Sequence, residues 1–224
     1  MTSRPYRFTA LGSGALRMWR AWRIAVPVVI VNALVQGLLQ WIPFDYDNGL
    51  LNAVTAIASA LVFGAAFALV AASALQVMSG PVHWRAAVAG ATQHWRRYAL
   101  WALGWLVVIA LGMLAAPYGA LAVAALTVFV LFAALEGASN PLAVNFRVIG
   151  RRWARWLITC IIVGFGLLLG VVISGFVVFF NRPPTGVWIA WLIGGLLAWW
   201  ITTAWALVYR SANGGEPSTE RDVA

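Results

Sequence analysis

Six runs of apolar residues, at about 24–42, 50–77, 99–116, 120–135, 156–180 and 187–209, constrain this chain more than any other feature. Roughly 20 apolar residues in a helix cross a bilayer core, where no water is present to satisfy free peptide groups. Six such runs joined by short connections predict an all-α polytopic integral membrane protein with six transmembrane helices. The composition agrees: 63% of the residues are hydrophobic and only 9% charged, against about 25% charged in a soluble domain. The mean hydropathy is +0.87. A pI of about 11.3 comes from arginines flanking the apolar runs rather than from a soluble basic face, so no nucleic-acid partner is expected.

All 15 basic residues are arginine, a usage that fits a GC-rich bacterial genome. Arginine carries a fixed planar charge that pairs bidentately with phosphate or carboxylate, on a stem that snorkels from helix ends. Arg4, Arg7, Arg17, Arg20 and Arg23 precede the first run. Arg85, Arg96 and Arg97 lie between the second and third, Arg147, Arg151, Arg152 and Arg155 between the fourth and fifth, and Arg210 follows the sixth. The remaining connections are short, at 43–49, 117–119 and 181–186, and hold Arg182 alone. By the positive-inside rule both termini and both long connections face the cytoplasm of a bacterial inner membrane, with fourteen of the fifteen arginines on that side. Residues 1–23 then read as a basic cytoplasmic segment with an interfacial helix, leading into a retained anchor rather than a cleaved leader. Residues 24–210 form the membrane domain. Residues 211–224, polar and mixed in charge, read as a disordered cytoplasmic tail.

The even-numbered runs end alike. Ala74-Leu75-Gln76-Val77-Met78-Ser79 is matched sixty residues later by Ala134-Leu135-Glu136-Gly137-Ala138-Ser139, and Ala206-Leu207-Val208-Tyr209-Arg210-Ser211 closes the third. Pro81 and Pro141 follow the first two serines at the same offset, as do Gly90 and Gly150. These coincidences suggest repeat units at about 12–80, 81–140 and 141–210, three tandem hairpins each preceded by a basic amphipathic interfacial helix. Ser79 or Gly80 with Pro81, and Ser139 or Asn140 with Pro141, have the chemistry of helix starts. Trp19, Arg20, Trp22 and Arg23 introduce the first unit; Trp84, Arg85, Trp95, Arg96 and Arg97 the second; Phe146, Arg147, Arg151, Arg152 and Trp153 the third. Tryptophan prefers the headgroup level and arginine meets lipid phosphate, so these elements are expected on the membrane surface, facing anionic lipid headgroups or a partner. Each such cation contributes about 1 kcal/mol near an anionic leaflet.

Few polar residues interrupt the spans. Asn32, Gln36 and Gln40 recur every four residues and share a helix face; Asn52, Thr55 and Ser59 form a similar stripe. Facing each other they act as interhelical glue at about 0.6 kcal/mol per hydrogen bond, the reading preferred here. Lining a cavity, Asn32, Gln36, Gln40 and Asn52 instead form an outer polar path. Ala60, Gly64, Ala68 and Ala72, and Gly166, Gly170 and Ser174, are small-residue seams suited to close helix packing. Pro27 frees the carbonyl of Arg23 near the start of the first span. Glu136, the only acid near a span, is expected to pair structurally with Arg147, Arg151 or Arg152. Gln76, at the equivalent repeat position, does not titrate, so no proton relay is expected. Asp45 and Asp47 suit a solvated turn, His83 and His94 have no ligand-spaced partners, and Cys160 is alone. With no nucleophile elbow, phosphate-binding glycine loop or metal motif, neither enzyme activity, cofactor nor metal is expected.

Glu136-Gly137-Ala138-Ser139-Asn140-Pro141, followed by Arg147 and Arg151-Arg152, resembles the membrane domain that precedes some glycerophosphodiester phosphodiesterases. Asn32, Ile42-Pro43 and the stretch from Trp84-Arg85 to Trp95-Arg96-Arg97 are similar to the YesL-like family of six-helix membrane proteins. The first resemblance does not imply phosphodiesterase activity, because the His, Glu and Asp residues of that metal site have no counterpart here. The second implies an accessory role beside carbohydrate uptake. The expectation is a non-enzymatic accessory or scaffold protein acting through anionic lipid and a membrane partner; the small-residue seams also permit a homo-oligomer. The alternative is a small-solute transporter or channel using the polar path.

Overall fold

The computed structural model describes residues 18–40, 48–77, 80–116, 119–181 and 185–213, and the regular structure in them is helical. The helices are α1 (Trp22–Leu39), α2 (Gly49–Val77), α3 (Trp84–Thr92), α4 (Trp95–Ala115), α5 (Gly119–Leu126), α6 (Val130–Leu135), α7 (Pro141–Arg151), α8 (Trp153–Phe180) and α9 (Thr185–Ala212). Five of them, α1, α2, α4, α8 and α9, are long and apolar enough to cross a membrane. Leu114 at 84% exposure and Phe179 at 82% typify their outer surfaces. Apolar cover of that extent needs hydrocarbon rather than water around it. The chain is an α-helical, multi-pass membrane protein.

The run at 120–135, expected as one span, is two short helices separated at 127–129. Side chains from neighbouring elements hold this break. Asn145 on α7 is fully buried; its Oδ1 accepts from the Phe129 N–H at 3.0 Å and its Nδ2 donates to the Leu126 carbonyl at 2.8 Å. Trp156 Nε1 donates to the Ala125 carbonyl at 3.0 Å, and Trp105 Nε1 to Thr127 Oγ1 at 2.8 Å. Backbone groups released from the helical ladder thus find partners within the protein, the condition for irregular backbone inside apolar surroundings.

The packed core lies toward one end of the molecule, where the helices carry their arginines. Buried positions run the length of one face of α1 and concentrate in the last ten residues of α2, in α6 and in the second half of α9, whereas α5 buries none and α4 only Tyr98. At the centre, Phe129 meets Trp205 edge-on at 5.5 Å and Phe132 stacks on Tyr209 at 5.8 Å. The α8–α9 contact uses the second small-residue seam. A Cβ on Gly170 would stand 2.6 Å from Leu197 Cδ2, so the absent side chain is what admits the leucine. The first seam closes over only half its length: Ala68 and Ala72 are buried, while Ala60 is exposed and Gly64 has open space where its Cβ would be.

The short helices α3 and α7 form where helix starts and basic residues were expected. Asn140 is the N-cap of α7, accepting from the Ala143 N–H at 3.0 Å, with Pro141 in the first turn. α3 starts later than Pro81 suggests, at Trp84 behind an extended His83. The first two residues expected in the tail are helical instead. Ser211 and Ala212 complete α9, because Arg152 Nη2 and Arg151 Nη1 accept responsibility for their last-turn carbonyls by donating to Ser211 O at 3.0 Å and Ala212 O at 3.3 Å. Residues 214–224, residues 1–17 of the segment expected to hold an interfacial helix, Asp45 and Asp47, Ser79, and Arg182 lie outside the described residues.

Candidate functional site

The polar stripe of α1 splits into three environments. Gln36 is buried and engages Ser59 of α2 twice: its Nε2 donates to the Ser59 carbonyl at 3.0 Å, and Ser59 Oγ donates to Gln36 Oε1 at 2.6 Å. This pair clamps α1 to α2. Gln40 is exposed at the C-cap of α1, and Asn52 is half-buried near the start of α2. Asn32, one turn inward from Gln36, is 6% exposed, and its Oδ1 is buried without a hydrogen-bond partner. It lines a cavity of about 30 Å³ between α1, α2 and α9, walled by Val28, Phe63, Phe67, Trp199 and Thr202. That volume is room enough for a water molecule.

A second polar locus joins the C-terminal ends of α6 and α9. Glu136 Oε1 pairs with Arg210 Nη2 at 2.8 Å and its Oε2 accepts from Tyr209 Oη at 2.8 Å. Arg210, not Arg147, Arg151 or Arg152, is therefore its partner. Sequence spacing favours arginines on the nearby surface helix, but stacking of Phe132 on Tyr209 brings the end of α9 over the end of α6. Arg97 Nη1 donates to the Ala138 carbonyl at 3.1 Å and also to the Gly137 carbonyl, closing the end of α6. Gly137 itself has φ +77°, and the bonds Ala138 N–H to Ala133 O and Gly137 N–H to Ala134 O complete a Schellman ending. His94, with no metal-ligating cluster around it among the described residues, packs its ring against Gly137.

The expected basic-aromatic residues thus fall into two groups. Arg97, Arg151 and Arg152 hold helix ends, Arg97 and Arg151 while themselves exposed, whereas Arg20, Arg23, Arg85, Arg96 and Arg147 are exposed without closing a helix. Arg23 lies 5.8 Å from the Trp22 ring centroid and Arg96 5.7 Å from that of Trp95, both cation–π contacts. Trp95 at 57% exposure and Trp153 at 64% project outward from the same end of the molecule. Asn145, Trp156 and Tyr209 were not singled out by sequence reasoning. For Asn145 a signal existed, since it shares a face with Pro141 and Val148 at helical spacing; for Tyr209 none did.

The fold and these loci define a class, a multi-pass α-helical membrane protein whose described polar groups include an interhelical clamp and an arginine-rich end. No family model, curated protein or solved structure matches the chain.

Proposed function

We propose that this chain is a non-enzymatic accessory or scaffold protein of the bacterial inner membrane, acting through anionic lipid and a membrane partner and linked to a transport system. The observation that carries this reading is the set of exposed tryptophans and arginines at one end of the molecule, with Arg23 on Trp22 and Arg96 on Trp95. Such pairs suit the headgroup layer, where the ring has apolar and polar surroundings and the guanidinium meets phosphate. In this reading α5 and α6 together make the sixth crossing, the six crossings form three tandem repeats, and both termini and the arginine-rich end face the cytoplasm. Resemblance to the YesL-like family favours a place beside carbohydrate uptake, and that to the phosphodiesterase-linked membrane domain favours a membrane-resident companion role.

Native mass spectrometry of the protein extracted gently from its own membrane tests the reading. A stoichiometric second polypeptide is the expected result; a bare monomer or homo-oligomer overturns the accessory role. One observation favours a second reading, a small-solute path: the unpartnered Asn32 Oδ1 at the α1–α2–α9 cavity. Cysteines placed at Asn32 and Gln36 react with water-soluble thiol reagents from outside if a path runs there, and stay inert if both positions only pack.

A further inference from the structure

Four guanidiniums converge on two short stretches of chain. Arg210 pairs with Glu136, Arg97 donates to the carbonyls of Gly137 and Ala138, and Arg152 and Arg151 donate to those of Ser211 and Ala212. Glu136 links the two stretches by bonding both Tyr209 and Arg210. Against four positive charges stand one carboxylate and the C-termini of α6 and α9, each equivalent to about half a negative charge. The locus therefore keeps an excess of about two positive charges.

Each guanidinium carries five N–H donors in a fixed fork, and each here is held through one terminal nitrogen. The other terminal nitrogen of each has no protein partner among the described residues, and Arg210 Nε is buried without one. Arg97 and Arg151 are exposed and Arg152 and Arg210 half-buried, so these side chains, though not the buried Arg210 Nε, are open to a ligand from outside the protein. Tethering to backbone carbonyls, and of Arg210 to Glu136, orients the forks before any ligand arrives, which removes part of the ordering cost of binding.

We propose that Arg97, Arg151, Arg152 and Arg210 form a specific site for a phosphate-bearing anion at the junction of α6 and α9, distinct from the general headgroup attraction of Arg20, Arg23 and Arg96. This deepens the accessory reading, on which it rests for the placement of this end at a membrane surface. The ligand is a phosphodiester lipid headgroup or a free phosphate, and both present oxygens that arginine pairs bidentately.

The full chain is reconstituted in nanodiscs of phosphatidylcholine with a minor fraction of cardiolipin or phosphatidylglycerol, and lipid retained on release is counted by native mass spectrometry. The double variant Arg151→Gln/Arg152→Gln is expected to retain about tenfold less anionic lipid, while Arg20→Gln/Arg23→Gln, of the same net charge, stays within about twofold of the parent. Equal loss in both double variants, or no preference for anionic lipid over phosphatidylcholine in the parent, overturns the site. Because Arg151 and Arg152 also close α9, Arg97→Gln, which leaves α9 intact and touches only the end of α6, serves as a second variant expected to lose anionic lipid as well, with helicity by circular dichroism confirming that each variant folds. Inorganic phosphate at millimolar concentration displaces the retained lipid if the site takes free phosphate as well, and leaves it in place if a lipid is the ligand. Either result supports the site. Partner co-purification does not depend on these variants, so failure of the site and failure of the accessory role are read separately.

Discussion

An asparagine in an apolar interior is costly unless its amide is met at both ends, and Asn145 satisfies that condition by holding the two sides of a broken helix. Replacement by Leu leaves the Phe129 N–H and the Leu126 carbonyl without partners, each an unmet buried group costing about 1–3 kcal/mol. Asn145→Leu is expected to lower the unfolding midpoint in detergent and to speed amide exchange at Phe129. Asn145→Asp, which keeps an acceptor for that N–H, does so less at the Phe129 amide. The two buried amides of α1 behave differently from each other. Gln36→Leu severs both bonds to Ser59 and is expected to cost about 1 kcal/mol, near the average of 0.6 kcal/mol per interhelical bond in membranes. Asn32→Leu removes an amide oxygen that has no partner and leaves stability unchanged or higher. Thermal unfolding of the two variants side by side measures the difference; equal destabilisation by both would falsify the assignment of their roles.

The element that departs most from a simple span is α5–α6, and its C-terminal end shows why. At φ +77° Gly137 occupies the left-handed region, and an added Cβ would stand 2.5 Å from His94 Nε2. Gly137→Ala combines backbone strain with overpacking and is expected to destabilise by about 2 kcal/mol, seen as a lower melting temperature. His94→Ala introduced with it relieves the steric part and leaves the backbone part. Arginines that sequence patterning assigns to lipid headgroups or a partner, Arg97, Arg151 and Arg152, also finish these helices. An exposed cation on a surface helix and one that closes a neighbouring helix have the same residue type and local spacing. Only the approach of helix ends distant in sequence separates the two.

Across the whole molecule, burial is lopsided. The arginine-rich end holds the aromatic cluster of Phe129, Phe132, Trp205 and Tyr209, and the far halves of α2, α4 and α8 are largely exposed. Local opening is easiest where few buried contacts must be broken. Hydrogen exchange in detergent is therefore expected to reach the start of α2 and the last turns of α8 well before 68–77 and 199–208. Uniform protection along α2 would show that the far half is held by contacts of its own.

The apolar runs, their lengths and the flanking arginines were enough to determine an all-α membrane chain with helices near 24–42, 50–77, 99–116, 156–180 and 187–209, because the cost of unpaired peptide groups in hydrocarbon leaves helices as the local solution. Helix-start chemistry likewise placed α7, through Asn140 and Pro141. Tertiary structure alone decided the break at 127–129, the choice of Arg210 as the partner of Glu136, and the closing of α9 by Arg151 and Arg152. Each of those depends on which helices approach which. In an almost uniformly apolar sequence that choice rests on packing shape and a handful of polar atoms, neither of which has a periodic signature along the chain.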